Sequence, residues 1–266
     1  MSAPDLAPEH LAAAGLALSV DGAVATVTLC RPERRNAQTP ATWTALADIG
    51  RGLPGDVRVV VLRAEGVSFS AGLDRAMFTP EGLPGFPSVF AMATMPEAEA
   101  DAVIAGYQAG FSWWRRPDIV SIAAVQGHAV GAGFQLALAC DLRVLADDAQ
   151  LVMKETSLGL VPDLAGTKPL VDIVGYPRAL EICATGRAVG AAEALSLGLA
   201  EVVVPAADLE AATADLVAAL LASPRDAVIE TKALLLAAAT RSHSEQQAAE
   251  RAAQGRRIRD LAGGGE

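Results

Sequence analysis

Residues 16–20 and 24–29 are two short runs rich in apolar and β-branched side chains, separated by Asp21-Gly22. That pairing predicts a β-hairpin with a type I′ turn. Residues 57–62 (Val-Arg-Val-Val-Val-Leu) read as a strand buried on most of its surface, residues 119–125 and 142–145 look similar, and 201–204 ends the series. Helical spacing fills the intervals. Residues 40–49 start with Thr39 as cap and Pro40 at the first helical position, and residues 130–140 are rich in Ala and Leu. Strands alternating with helices predict an α/β fold with parallel pairing. Beyond about Pro205 the character changes to three helical stretches, 208–222, 224–239 and 244–261, the first two separated by Ser223-Pro224. The chain therefore divides into an α/β core over residues 1–205 and a helical region over 206–266 that covers the core or binds another subunit. The Gly263-Gly264-Gly265 tail is expected to fray.

Composition narrows the class. The 266 residues are 52% apolar, too apolar for a disordered chain and enough for one large domain or two small ones. The net charge of −10, with no block of Lys and Arg, argues against nucleic acid and an anionic membrane surface as partners. Arg256, Arg257 and Arg259 lie beside Glu250 and Asp260 and read as a solvated helix face. Cys30, Cys140 and Cys183 are an odd, sparse set that fits a reduced, cytoplasmic protein, and neither Cys-x-x-Cys nor His-Glu-x-x-His is present to suggest a metal site. The start Met1-Ser2-Ala3-Pro4-Asp5 lacks the basic opening and apolar core of a signal peptide. Residues 119–140 carry no charge and are long enough to span a bilayer, but they contain Ser121, Gln126, His128, Gln135 and three glycines. They read as a buried strand, a Gly-rich turn and a buried helix.

Two familiar site types fail. The glycines after the 119–125 strand, Gly127, Gly131 and Gly133, do not make Gly-x-Gly-x-x-Gly, because Leu136 stands where the third glycine belongs. Gly66-Val67-Ser68-Phe69-Ser70 lacks the closing glycine of a nucleophile elbow, and no Walker loop occurs. What remains is a pair of small-residue turns about 60 residues apart, Ser70-Ala71-Gly72-Leu73-Asp74 and Gly127 through Gly133, each after an apolar strand and before a helical pattern. Such turns leave backbone N–H groups free to face a ligand, and two converging on one carbonyl oxygen make an oxyanion hole. Tight strand–helix packing is the plainer reading of the same glycines.

Here the residues resemble a known family. Phe69-Ser70-Ala71-Gly72-Leu73-Asp74 and Ala124-Val125-Gln126-Gly127 through Gly133-Phe134-Gln135-Leu136-Ala137-Leu138-Ala139-Cys140-Asp141 are similar to the two main motifs of the crotonase (enoyl-CoA hydratase/isomerase) family. The resemblance continues through Glu155, Gly159-Leu160-Val161-Pro162, Gly166-Thr167, Gly186-Arg187 and Gly198-Leu199-Ala200-Glu201, and Arg31-Pro32-Glu33 with Asn36-Ala37 precedes it, so that it covers roughly residues 15 to 240. It implies a crotonase-like ββα spiral core, a C-terminal helical region that builds a homotrimer or hexamer, and an acyl-CoA thioester as substrate. Coenzyme A is then part of the substrate, and no separate cofactor or metal is implied. The implied oxyanion donors are the N–H groups of Leu73 and Ala132. Ala71, Gly72, Asp74, Arg31, Arg34 and Arg35 are implied to lie near the coenzyme A adenosine and phosphates, although the arginines equally suit a solvated helix start.

The acids decide the reaction. A hydratase of this family holds its water with two glutamates, which would fall at 135 and 155; here the first is Gln135, which cannot accept a proton. Glu155 remains, and eight residues later comes Asp163, where the resemblance to dienoyl-CoA isomerases implies a second working carboxylate. Each has a plainer reading: Asp163 as a helix N-cap, Glu155 as a surface residue beside Lys154, Gln135 as a satisfied buried amide, His128 as a packed histidine, and Trp113-Trp114 as packing rather than acyl-pocket wall. Three functions follow: a double-bond isomerase of an enoyl- or dienoyl-CoA using Glu155 and Asp163, a hydratase in which Gln135 positions water, or an acyl-CoA-binding protein without turnover.

Overall fold

A computed structural model describes residues 6–263 of the chain. The opening pentapeptide and Gly264 and Gly265 of the tail lie outside the described residues. Nine strands are present among them: β1 (Leu16–Asp21), β2 (Val24–Leu29), β3 (Val59–Ala64), β4 (Val120–Val125), β5 (His128–Val130), β6 (Leu142–Ala146), β7 (Gln150–Val152), β8 (Ala188–Gly190) and β9 (Val202–Val204). The helices are α1 (Pro8–Ala13), α2 (Pro40–Gly52), α3 (Val89–Met92), α4 (Glu97–Ser112), α5 (Ala132–Ala139), α6 (Thr167–Val174), α7 (Tyr176–Thr185), α8 (Ala191–Ser196), α9 (Leu209–Ala222), α10 (Arg225–Ala238) and α11 (His243–Ala262). A six-stranded sheet has the order β1-β2-β3-β4-β6-β9, with β1 antiparallel to β2 and every other pairing parallel. A second sheet has the order β5-β7-β8.

The hairpin forms where the sequence places it, with a different turn. Asp21 pairs with Val24, so the two loop residues are Gly22 and Ala23. Gly22 alone takes positive φ (+52°), which is the sign pattern of a type II′ turn rather than I′. The reason is register: pairing extends through Asp21, and glycine then occupies the first central position. The third strand begins two residues later than its pattern suggests, because Val57 is still bonded into a turn through Pro54 O.

Alternation along β3 separates two cores. Val60 and Leu62 face a layer that contains Trp43 and Leu46 of α2, Phe111 of α4 and Phe134 of α5. Val59 and Val61 face the other way, against Leu216, Val217 and Leu220 of α9. Helix α2 begins as expected: Thr39 accepts a bond from the Thr42 N–H, with Pro40 at the first helical position. Helix α4 is the helix before Pro117 on which the sequence places Trp113-Trp114, and it lies on α2 because Gly110 lets it approach the Trp43 carbonyl; a Cβ there would stand 2.5 Å from that oxygen. Trp113 and Trp114 stack at 4.1 Å, Trp113 packs on Gly50, and the Trp114 Nε1–H donates to Gly110 O. Both pack the end of α4.

The C-terminal helices are bound to the core through polar anchors. Lys232 of α10 reaches the start of β4, where its Nζ donates to Ile119 O and Asp141 Oδ2, both at 2.6 Å. The same Asp141 oxygen accepts from the Ser121 N–H at 2.8 Å. Both side chains of the ion pair are largely buried. Removing one partner strands the other, so Lys232→Met is expected to cost about 3–5 kcal/mol of stability in urea denaturation. An unchanged midpoint would mean that α10 is held by other contacts.

Candidate active site

Three backbone segments lie side by side at the second sheet. Ser70 bridges in parallel to Ala129 of β5, and β5 pairs in parallel with β7. The Ser70 N–H donates to His128 O, the Val130 N–H to Ser70 O, and the Gly131 N–H to Val152 O. Each segment runs in the same direction, so their C-terminal ends open together and deliver, in order, Leu73, Ala132 and Glu155. The sequence analysis read residues 127–133 as one turn; the structure finds three-residue β5 within it, because His128–Val130 gains ladder partners only from distant Ser70 and β7.

Glycine makes this closeness possible. Gly127 (φ +54°) passes Val67 O at a distance that would put a Cβ 2.1 Å from it, and a Cβ on Gly72 (φ +86°) would sit 2.5 Å from Val130 O and 3.7 Å from the Ala132 nitrogen. The two turns therefore abut at the proposed oxyanion donors. Gln38 bridges to Leu73 through the neighbouring groups, its N–H donating to Gly72 O and its carbonyl accepting from the Asp74 N–H. The Leu73 amide faces the other way and has no backbone acceptor among the described residues. Ala132 is the first residue of α5, where an amide has no partner within the helix.

Glu155 follows β7 at the start of a short 3-10 turn and is buried. Its Oε1 accepts from Gln135 Nε2 at 2.7 Å, while its Oε2 is buried with no hydrogen-bond partner. A Cβ built on Gly131 would lie 3.0 Å from Oε1 and 3.8 Å from Oε2, so the carboxylate sits against the peptide that carries the Ala132 N–H. Burial pushes the Glu155 carboxyl above the usual carboxylate range, and the charge of Asp163 adds to the rise; backbone amides and Gln135 oppose it. Burial also raises Asp163, against a bond from its own backbone amide. Cys183, on α7, is raised by burial and then by the Glu155 charge.

Gln135 is held at both ends of its amide. Its Oε1 accepts from the Leu164 N–H at 2.9 Å and the Gly166 N–H at 3.3 Å, which turns its NH2 toward Glu155. It is thus a satisfied buried amide that also orients the carboxylate. Asp163 does not cap the following helix: α6 starts at Thr167, its N-cap residue is Gly166, and no side chain caps it. His128 is exposed rather than packed, the alternation along β5 burying Ala129 instead.

The residues implied for coenzyme A are arranged as follows. Ala71 is exposed and Gly72 buried. Arg31 donates to Ala37 O at 3.0 Å and to Asp74 at 3.3 Å, and Asp74 also accepts from the Ala76 N–H, so these two side chains hold the 70–74 turn to the segment before α2. Arg34 and Arg35 are exposed. Buried Asn36, at φ +52°, explains part of the motif: its side chain ties the Arg31 N–H to Glu65 O and Ser68 O. One contact had no sequence signal. Gln108 of α4 donates to Asp163 O at 2.7 Å. A hollow of about 790 Å³ beneath α9, lined by Val61, Arg63 and Val217, contains none of these groups.

The family profile described as Enoyl-CoA hydratase/isomerase matches residues 19–260. The chain belongs to that family. Its architecture is the crotonase fold: a Thermobifida fusca YX protein named an enoyl-CoA hydratase, solved in complex with CoA, is 55% identical and superposes with a TM-score of 0.92 over 98% of each chain. The same protein in complex with acetoacetyl-CoA gives a TM-score of 0.93 at 55% identity, over 97% of this chain and 100% of that one. A Bacillus subtilis (strain 168) relative, also named an enoyl-CoA hydratase, is 33% identical over 189 residues, 70% of this chain and 68% of its own. No helix among the described residues is long and apolar enough to cross a membrane.

Proposed function

We propose that this enoyl-CoA hydratase/isomerase family member is an acyl-CoA double-bond isomerase. The observation that carries the reading is the state of Gln135: its carbonyl oxygen accepts from two backbone amides and its NH2 donates to Glu155, so this amide, which has no basic atom to take a proton, holds the one carboxylate that can. Glu155 Oε2 is then the free proton acceptor beside the Gly131–Ala132 peptide. In a 3-enoyl-CoA, Glu155 takes the proton α to the thioester. The electron pair moves into a dienolate whose oxygen accepts from the Leu73 and Ala132 N–H groups. A proton returns at the γ-carbon from Glu155, or from Asp163 where the pair shares the work, and the 2-enoyl thioester forms. Burial raises the pKa of both carboxyl groups, which suits each to donate as well as accept a proton. Ala71, Gly72 and the exposed Arg34 and Arg35 are on hand for the coenzyme A portion, with Arg31 and Asp74 shaping the turn, and assembly as a trimer or hexamer through the C-terminal helices belongs to the same reading.

Hydration is the second reading, favoured by the names of the relatives. In it Glu155 alone activates a water that adds to the β-carbon of a 2-enoyl thioester. Incubation with 3-enoyl- and 2-enoyl-CoA, followed by absorbance of the conjugated thioester and by product mass, separates the two. Conjugation at unchanged mass supports the isomerase. Fast addition of water to the 2-enoyl thioester overturns it, and tight binding without turnover leaves only an acyl-CoA-binding protein. The acid limb of the rate profile is expected above the range of a free glutamate, because Glu155 works ionised and burial raises its pKa, with Asp163 and Cys183 as its titratable neighbours.

A further inference from the structure

The second carboxylate sits on a segment with little support of its own. Between Leu160, whose N–H bonds to Glu155 O, and Leu164, whose N–H bonds to Gln135, the chain runs through exposed Val161 and through Pro162, which has no N–H to give. Ala165 follows at φ +63°, a left-handed conformation that a non-glycine residue keeps only when its surroundings impose it. Gly166 then packs on Gln135, where a Cβ would stand 2.6 Å from Cγ.

One peptide unit in this segment is held at both ends. The Asp163 carbonyl accepts from Gln108 Nε2 on α4 at 2.7 Å, and the Leu164 N–H on the far side of the same peptide donates to Gln135 Oε1 on α5 at 2.9 Å. Two glutamines on two helices of the core thus clamp the peptide that follows Asp163, which restricts where the backbone can carry the Asp163 carboxylate. Gln135 simultaneously holds Glu155 Oε1. We infer that Gln108 is a positioning residue, which sets Asp163 against Glu155 by clamping the Asp163–Leu164 peptide. The inference rests on the reading above, in which Asp163 takes part in proton transfer. Gln108 itself touches no reacting atom; it works through the Asp163 carbonyl.

Three variants test it: Gln108→Met, Gln108→Glu and Asp163→Asn. Gln108→Met keeps length and loses the donor; kcat is expected to fall roughly tenfold or more, with KM within about twofold, as for a displaced catalytic group. Gln108→Glu can donate to the carbonyl only when protonated, so its deficit relative to wild type is expected to shrink as pH falls. Added to Asp163→Asn, Gln108→Met is expected to cost nothing further, since the group it positions is gone. Wild-type kcat in a folded Gln108→Met protein, a rise in KM alone, a pH-independent deficit in Gln108→Glu, or full additivity with Asp163→Asn each overturns the inference. Should Gln108→Met not fold, the pH dependence of Gln108→Glu decides. Failure of the underlying reading appears separately, as an Asp163→Asn enzyme with undiminished turnover.

Discussion

Replacing Glu155 with glutamine is expected to abolish turnover, lowering kcat by about 10³-fold or more. Gln keeps the shape and can still accept from Gln135 through its carbonyl oxygen, so the 2.7 Å contact survives while the proton acceptor at Oε2 is lost. The variant is expected to melt no lower than the parent at pH 8, and stability data over a pH series would check the cause. A carboxyl raised by burial favours the folded state below its unfolded pKa and loses that contribution as pH rises through its folded value. The variant should therefore gain on wild type from the ordinary carboxylate range upward until the raised pKa is passed, and stay level above it. Wild-type turnover in a folded Glu155→Gln protein would remove both the isomerase and the hydratase readings.

The second large effect is expected at Ala132. A backbone N–H can be deleted only by proline, and Ala132 is the first residue of α5, the one helical position where proline fits. The preceding Gly131, at φ +51° and ψ −117°, has the mirror image of extended geometry, which a following proline tolerates. In Ala132→Pro the Cδ atom takes the place of the amide hydrogen, so one oxyanion donor disappears with the helix retained. A loss of about 10²–10³-fold in kcat follows from the usual cost of one such donor. Circular dichroism would check the helix and steady-state kinetics the rate. Turnover near wild type would show that the thioester oxygen does not use this amide.

Much of the molecule was legible because its causes are local. The hairpin follows from two β-rich runs around a glycine, the start of α2 from Thr39 and Pro40, and the three C-terminal helices from composition and Ser223-Pro224. Even there, the turn type depended on how far the ladder ran past Asp21, a property of pairing. Strands β5, β7 and β8 have three residues each and no periodicity to read; they exist because they find each other. Helix α4 lacked a cap signal beyond Pro96 with Glu97 and Glu99, and its role next to Asp163 depends on one glutamine reaching across to another segment.

The sequence by itself determined the α/β architecture, the family motifs and the chemical kinds present at the site: two small-residue turns, a glutamate, an aspartate, and an amide where an acid was expected. These are properties of residue identity and short-range spacing. Only the tertiary structure decided what each group is free to do. Gln135 and Glu155, 20 residues apart in the chain, meet at 2.7 Å because β5 and β7 pair in parallel and end together. That meeting occupies one carboxylate oxygen, leaves the other unpartnered in a buried place, and shifts its acidity through burial and a neighbouring charge. Hydrogen bonding and desolvation depend on which atoms become neighbours, and neighbours separated by tens of residues are set by the packing of the whole fold.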